Sequence, residues 1–365
     1  MGLTAGIVGL PNVGKSTLFN AITKAGALAA NYPFATIEPN VGVVEVPDHR
    51  LDVITSIVKP RNVVPTSFAF TDIAGLVKGA SKGEGLGNQF LSHIREVDAI
   101  CQVVRCFDDS NIIHVDGNVD PARDIETIQL ELIFADMEVI EKRLPKIEKK
   151  AQLRVEKDAE REYHILMQIY NNLKEGIPAR NAGLTKDEEL FIKHYNFLTI
   201  KPMLYIANIS ETEIGIENDY VAKVREIAKA DGSRVVVISA KIEEELASLT
   251  TEDKAMFLEE LGIKESGLDQ LVREAYDLLG LATYFTAGEK EVRAWTFKKG
   301  MKAPECAGII HTDFEKGFIR AETMSFDDLV LYGTQQKVKD AGKARLEGKE
   351  YVVQDGDIML FRFNV

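Results

Sequence analysis

The sequence predicts an α/β fold with a doubly wound sheet, on three observations. Apolar runs at 4–10, 41–46, 67–73, 99–105, 203–207 and 234–238 have the length and β-branched content of buried strands, and helical patterns separate them. The first run passes through a Gly/Pro/Asn turn into a helix that carries Leu18, Phe19 and Ile22 on one face. That turn and the helix start read Gly9-Leu10-Pro11-Asn12-Val13-Gly14-Lys15-Ser16, the G-x-x-x-x-G-K-[ST] pattern in the strand-turn-helix context that gives it meaning.

The 365 residues are too many for one core, so two or three domains are expected. With 45% hydrophobic and 28% charged residues, the chain reads as globular. No apolar run reaches the roughly 18 to 20 residues that span a bilayer, and the N-terminus leads from Gly6-Ile7-Val8-Gly9 into the glycine-rich turn instead of a cleavable segment. A cytoplasmic location with no membrane partner is expected. Cys101, Cys106 and Cys306 form neither an even disulfide framework nor a C-x-x-C metal pattern, which fits a reducing compartment. The formal charge of −13 argues against a broadly basic nucleic-acid binder, and no DNA partner is expected. Residues 281–365 nevertheless carry 13 Lys and Arg against 13 Asp and Glu, so a neutral module follows an acidic one.

The nucleotide domain is expected over 1–127 and 201–280. Within it, Leu130, Ile133, Met137, Ile140, Leu144 and Ile147 recur at alternating spacings of three and four, a heptad seam. Tyr163, Leu166, Tyr170 and Leu173 offer a partner helix, and Thr185-x-x-Glu188 reads as a capping box. Residues 128–200 are therefore read as an inserted helical hairpin, broken or kinked at Pro145 because proline removes a backbone bond. Eight Lys and Arg between 142 and 161, interleaved with acids, mark either an RNA contact or a solvated helix face. After Gly280, short strand patterns at 283–286, 292–298 and 358–364 predict a C-terminal β-rich domain over 281–365.

The chemistry starts at the glycine-rich turn. Backbone N–H groups of Asn12, Val13, Gly14, Lys15, Ser16 and Thr17 point at phosphate oxygens there, helped by the helix dipole. Lys15 is expected to reach the β- and γ-phosphates and to serve catalysis, and the Ser16 hydroxyl to bind Mg²⁺. Asp72-Ile73-Ala74-Gly75 has the DxxG form, whose Asp holds Mg²⁺ through water and whose glycine N–H senses the γ-phosphate. Thr36, in Tyr32-Pro33-Phe34-Ala35-Thr36, is placed to complete the Mg²⁺ shell.

Base choice is read elsewhere. Where a guanine-specific site carries N-K-x-D, this chain has Asn208-Ile209-Ser210-Glu211. The swap removes the short carboxylate set for guanine N1–H and its 2-amino group, while the Asn208 amide still fits purine N7 and an exocyclic amine. A donor left without its acceptor costs ~1–3 kcal/mol, enough to reverse preference, so ATP is favoured over GTP. Ser239-Ala240-Lys241 supplies main-chain N–H groups behind the base.

Leu76 follows DxxG where Ras-like enzymes have a water-orienting glutamine, and the glycine-rich run 78–87 reads as a mobile switch loop. His114, in the loop 108–119 beyond the strand 99–105, is one candidate for the missing group, against a plain surface histidine. Asn12 offers a second route, by helping to bind a monovalent cation such as K⁺ beside the phosphates.

Taken together, Gly9–Thr17, the Tyr32–Thr36 segment, Asp72–Leu76, Asn208–Glu211, a helical insertion and a β-rich C-terminus make the whole chain resemble the YchF or Obg-like ATPase family. The resemblance implies a Ras-like, OBG-type P-loop G domain, a helical hairpin and a C-terminal TGS domain of β-grasp type. It further implies slow ATP hydrolysis with Mg²⁺ and association with the ribosome, its large subunit included, through ribosomal RNA or protein. It carries nucleotide contacts onto Asn12–Thr17, Asn208, Ile209 and Glu211, Mg²⁺ ligands onto Ser16 and Thr36, and a loop histidine onto His114. An Obg-type GTPase, and a nucleotide-gated ribosome-binding module with incidental hydrolysis, stay open as alternatives.

Overall fold

The computed structural model describes residues 3–28, 40–75, 86–112, 114, 115, 117–152 and 157–364. In chain order its elements are β1 (Thr4–Gly9), α1 (Lys15–Leu28), β2 (Val41–Glu45), α2 (His49–Val58), β3 (Asn62–Val64), β4 (Ser67–Asp72), α3 (Leu86–Glu96), β5 (Ala99–Arg105), α4 (Pro121–Gln152), α5 (Lys157–Lys174) and α6 (Lys186–Ile192). They continue through β6 (Met203–Asn208), α7 (Asp219–Asp231), β7 (Arg234–Ile238), α8 (Ala240–Leu246), α9 (Thr251–Glu260), α10 (Gly267–Leu278), β8 (Leu281–Ala287), β9 (Glu291–Lys298), α11 (Ala303–Ile310), α12 (Thr312–Lys316), β10 (Phe318–Met324), α13 (Phe326–Tyr332), α14 (Gln335–Asp340), β11 (Arg345–Glu347) and β12 (Ile358–Phe363).

The chain forms two compact units, Met1–Val43 with Ala69–Ala275, and Val44–Phe68 with Tyr276–Val365. In the first, a six-stranded sheet has the order β2-β4-β1-β5-β6-β7, parallel from β4 to β7. The order reverses beside β1, which places a ligand crevice at the carboxyl ends of the strands. Register aligns those ends: Ile7 pairs Asp72, Gly9 pairs Val103, Arg105 pairs Asn208, and Asn208 pairs Ile238. β5 and β6 are buried along their whole length, as the apolar runs predicted for strands covered on both faces.

The hairpin is present, with differences. α4 runs unbroken through Pro145, so the expected break there does not occur. Ile133, Ile140 and Ile147 of the seam are buried, but Leu130 is exposed. On α5 the core is filled by Ile165, Leu166, Ile169 and Leu173, while Tyr163 is only half-buried. The apolar isoleucines seal the seam with no hydroxyl to satisfy. Thr185 and Glu188 form the capping box that opens α6. Buried Asp136 of α4 accepts from the Leu198 and Thr199 N–H groups at 2.9 and 2.8 Å and from the Thr199 hydroxyl at 2.7 Å, tying the hairpin to the turn before β6.

The second unit is not β-rich alone. Its sheet, ordered β11-β10-β12-β8-β9-β3, has an apolar cluster on each face. Cys306 and Ala307 of α11 pack with Tyr284, Phe297 and Phe361 in one cluster. Leu51 and Ile54 of α2 join Phe285, Val292, Leu329 and Val338 in the other. The segment 44–68, which sequence reading placed in the nucleotide domain, thus folds with the C-terminal unit. The reason is pairing: β3 adds in parallel to β9, and Arg50 of α2 bridges Asp48 and Asp355. No described helix is long and apolar enough to cross a membrane.

Candidate functional site: a phosphate cradle with a base-reading edge

β1 is held between β4 and β5 with Ala5, Ile7 and Val8 fully buried, so the turn that leaves Gly9 starts from a rigid strand. Gly14 has φ 92°, a left-handed conformation that favours glycine. A Cβ there would also stand 2.2 Å from the Asn208 Nδ2 atom, so space and backbone both require glycine. Asn12 is left-handed too, at φ 63°, which asparagine tolerates better than most residues. The Leu18 N–H makes the first helical bond, to the Gly14 carbonyl at 3.0 Å. Helix geometry therefore leaves the N–H groups of Lys15, Ser16 and Thr17 without intrahelical acceptors and aimed out of the N-terminus.

Lys15 and Asp72 form an ion pair across the cradle, with side chains 12% and 23% exposed. β4 delivers Asp72 because the register with β1 sets it beside Ile7. Beyond it, a Cβ on Gly75 would lie 3.6 Å from the Gly9 carbonyl, so the DxxG turn runs along the cradle. A cation and a carboxylate that satisfy each other here are the groups a triphosphate and a divalent cation would separate and recruit. Ser16, exposed in the first turn of α1, stands next to Lys15 in the chain. The residue set therefore fits Mg²⁺ and phosphate. Thr36 with its Tyr32–Thr36 segment, Leu76, and the glycine-rich run as far as Gly85 lie outside the described residues; Leu86 and Gly87 of that run begin α3.

Asn208 joins the two sides of the edge. Its Nδ2 donates to the Val13 carbonyl at 2.9 Å, and its Oδ1 accepts from the Ala240 N–H at 2.9 Å, with the residue 4% exposed. One Nδ2 hydrogen and one Oδ1 lone pair are left over from these bonds. Ile209 is buried where the guanine motif has lysine. Ser210 caps the short helical turn Glu211–Glu213, and Glu211 pairs with Lys241. The bond from Lys241 holds the Glu211 carboxyl below its ordinary range, so it is an ionised acceptor. Ser239 is buried with a hydroxyl that has no hydrogen-bond partner among the described residues. A cavity of about 310 Å³ is lined by Ile209 and Ser239 from the two loops, with Ile242, Glu217 and Gln270 around it.

His114 is not the exposed loop residue that sequence suggested as the alternative. Its side chain is 2% exposed, and Nε2 lies 2.8 Å from the Asp124 carboxylate in the first turn of α4. Arg123 Nη2 stands 3.4 Å from Nδ1 and is itself held by the Asn118 carbonyl at 2.6 Å. With the carboxylate as acceptor, Nε2 carries the hydrogen and Nδ1 accepts from Arg123. The structure thus pairs His114 with Asp124, not with Lys15 or Asp72.

Sequence reasoning also missed Arg105. It is 1% exposed at the end of β5, and its guanidinium donates to the carbonyls of Phe107, Ile112 and Asp109 at 3.1, 3.0 and 3.3 Å while lying over the Phe107 ring. It organises the loop that leads to His114. The signal was a cation closing an apolar strand at a ligand edge, where desolvation demands several acceptors.

A domain model described as a 50S ribosome-binding GTPase matches residues 4–140, and the C-terminal YchF GTPase model, described as a protein of unknown function, matches 281–364. The Ribosome-binding ATPase YchF of Bacillus subtilis (strain 168) is 64% identical over 367 residues, covering 100% of both chains. The chain belongs to the YchF family. The YchF protein of Escherichia coli O157:H7, also named a ribosome-binding ATPase, is 55% identical over 366 residues and covers 100% of both chains. The solved YchF GTPase of Schizosaccharomyces pombe matches with a TM-score of 0.90 and 44% identity, covering 99% of this chain and 97% of that one. The fold is therefore the YchF fold, a P-loop GTPase-type α/β domain with a C-terminal domain. The YchF relatives divide by name between ATPase and GTPase.

Proposed function

We propose that this chain is a Mg²⁺-dependent ATPase that takes ATP in preference to GTP and associates with the ribosome in the cytoplasm. The Lys15–Asp72 pair on the cradle carries the hydrolase reading, and the relatives named ribosome-binding ATPases support substrate and partner. On this reading, Lys15 turns from Asp72 to the β- and γ-phosphates, and the first-turn N–H groups of α1 take further phosphate oxygens. Ser16, Thr36 and Asp72 are the groups that would hold Mg²⁺, which when bound neutralises charge on the phosphates.

Asn208 holds Val13 to Ala240 and offers its remaining amide hydrogen to purine N7. Ile209 and the Ser239 hydroxyl, which has no partner among the described residues, bound the base, and the ionised Glu211 accepts from the adenine 6-amino group. His114 orients the attacking water only after leaving Asp124, so turnover is slow until the loop moves. The nucleotide-gated module is the second reading, and the burial of His114 against Asp124 is the observation in its favour.

The hairpin over 128–200 and the C-terminal unit supply the ribosome contacts. The large subunit is the proposed partner because residues 4–140 match a model described as a 50S ribosome-binding GTPase. A titration of ATP and GTP with and without ribosomes, recording affinity and turnover, tests all of this. Tighter binding of GTP overturns the base reading, and an absence of ribosome binding overturns the partner.

A further inference from the structure

We propose that the free edge of β7 takes an extended segment of a partner protein as an added strand. β7 ends the first sheet, and among the described strands it pairs with β6 alone. The Ile238 carbonyl accepts from the Ile209 N–H at 2.9 Å, so the backbone groups of Ile238 face β6. Successive residues of a strand turn their N–H and C=O groups to opposite edges. Those of Val236 and Arg234 therefore face β6 as well, and those of Val235 and Val237 face outward. The backbone of neither valine makes an outward hydrogen bond among the described residues.

Proteins guard such an edge with charge, proline, a bulge or a covering segment. β7 runs Arg234-Val235-Val236-Val237-Ile238 in even register with β6, and only Arg234 at its start is charged. Three successive valines favour the extended state, and Val235 and Val237 stay partly exposed. Val237 is also part of the wall of the 310 Å³ cavity that Ile209 and Ser239 line. Ile214, Ile216, Val221, Ile242 and Ile263 make that wall apolar, and Ile216 is 60% exposed. The charged side chains around it are held within the chain: Glu217 pairs with Arg225 at 3.2 Å, Glu265 pairs with Arg273 at 2.6 Å, and buried Glu243 accepts from the Gly267 N–H at 2.7 Å. Arg234 is held by Glu274 at 2.8 Å, so a polyanion finds no spare charge at this edge. What the surface offers is a row of backbone donors and acceptors beside an apolar hole. An extended peptide complements both, because its main chain bonds Val235 and Val237 while one apolar side chain fills the cavity. A small apolar ligand would fill the cavity and leave the strand edge bare.

The test titrates the full chain with fluorescein-labelled threonine heptapeptides that differ only in a central leucine, phenylalanine, valine or aspartate. At least one apolar-centred peptide is expected to bind, and the aspartate-centred one about tenfold or more weakly, because a carboxylate is costly in an apolar cavity. Binding slows amide hydrogen exchange at Val235 and Val237 about tenfold or more, while the amides of Val236 and Ile238 keep their rates. N-methylation of alternate peptide nitrogens abolishes binding in one phase and spares it in the other, since a strand pairs through every second residue. Val237→Pro removes an outward N–H without touching the β6 ladder, and it loses the peptide. Ile216→Asp, at an exposed position, weakens the peptide about tenfold, and both variants keep wild-type ATP affinity. Should Val237→Pro fail to fold, Ile216→Asp and the N-methyl series decide. No binding by any of the peptides overturns the proposal. Binding that survives N-methylation in both phases assigns the cavity to a small apolar ligand and overturns it as well, as does a loss of ATP affinity in folded Ile216→Asp, which assigns the cavity to the nucleotide. Self-association of wild type that Val237→Pro abolishes makes a second copy the occupant, and the proposal then falls.

Discussion

The amide nitrogen of Asn208 occupies the space beside Gly14 in which a side chain would begin, with 2.2 Å between Nδ2 and a Cβ built there. Two residues 194 positions apart thus fix one corner of the phosphate cradle. Gly14→Ala should lower ATP affinity tenfold to a hundredfold, since left-handed strain and the lost Asn208 bond each cost ~1–3 kcal/mol. Isothermal titration checks the affinity and circular dichroism the fold. Wild-type affinity in a folded variant would remove the steric account.

Base preference should move with the edge motif. Restoring the guanine pattern with Ile209→Lys and Glu211→Asp is expected to shift the ratio of ATP to GTP affinity toward GTP by tenfold to a hundredfold. A ratio that stays put means the base is chosen by groups other than Asn208–Glu211.

His114→Ala should leave ATP affinity unchanged and cut turnover by about a hundredfold, the lower end of what a positioned acid or base contributes. Single-turnover hydrolysis separates the two quantities. Turnover equal to wild type would instead favour the nucleotide-gated module.

A monovalent-cation requirement is expected from Asn12. ATP turnover should fall several-fold when Na⁺ replaces K⁺ at constant ionic strength. Equal rates in the two salts would exclude a cation site at this turn.

Burial pushes the Asp136 carboxyl up to about 6, against the lowering effect of its bonds from Leu198 and Thr199. A raised folded-state pKa means that the folded chain holds the proton more tightly. The contribution of Asp136 is therefore greatest below about pH 4 and is lost as pH rises through about 6. Relative to Asp136→Asn, which does not titrate there, wild type should lose stability across that window, on the order of 3 kcal/mol. Thermal melts of both proteins at a series of pH values measure it, and parallel curves would refute it.

The cradle was legible because its signal is local. Gly9, Gly14, Lys15 and Ser16 act within one turn and one helix start, and spacing alone carries that geometry. The six strand runs were legible for the same reason: β1, β5 and β6 are buried nearly throughout and so are short and apolar, while β2, β4 and β7 mix buried positions with half-buried or exposed ones in runs just as short. The hairpin seam was read one step off: Leu130 and Tyr163 obey helical spacing but are not the most buried, because the partner helix decides which face closes. The helices α11–α14 were missed because five- to eight-residue helices carry too little periodicity to register.

What the sequence carried by itself was the local pattern of each segment: a strand-turn-helix with the G-x-x-x-x-G-K-[ST] spacing, a DxxG strand end, and Asn208–Glu211 in place of N-K-x-D. Only the tertiary structure decided which of these segments meet. It set Asn208 between Val13 and Ala240, joined 44–68 to the C-terminal unit through β3 and Arg50, buried His114 against Asp124, and left β7 at a sheet edge. Each of these depends on strand order and register between residues far apart in the chain. Local propensity and spacing reach only a few residues, whereas register is fixed by the burial of the whole sheet.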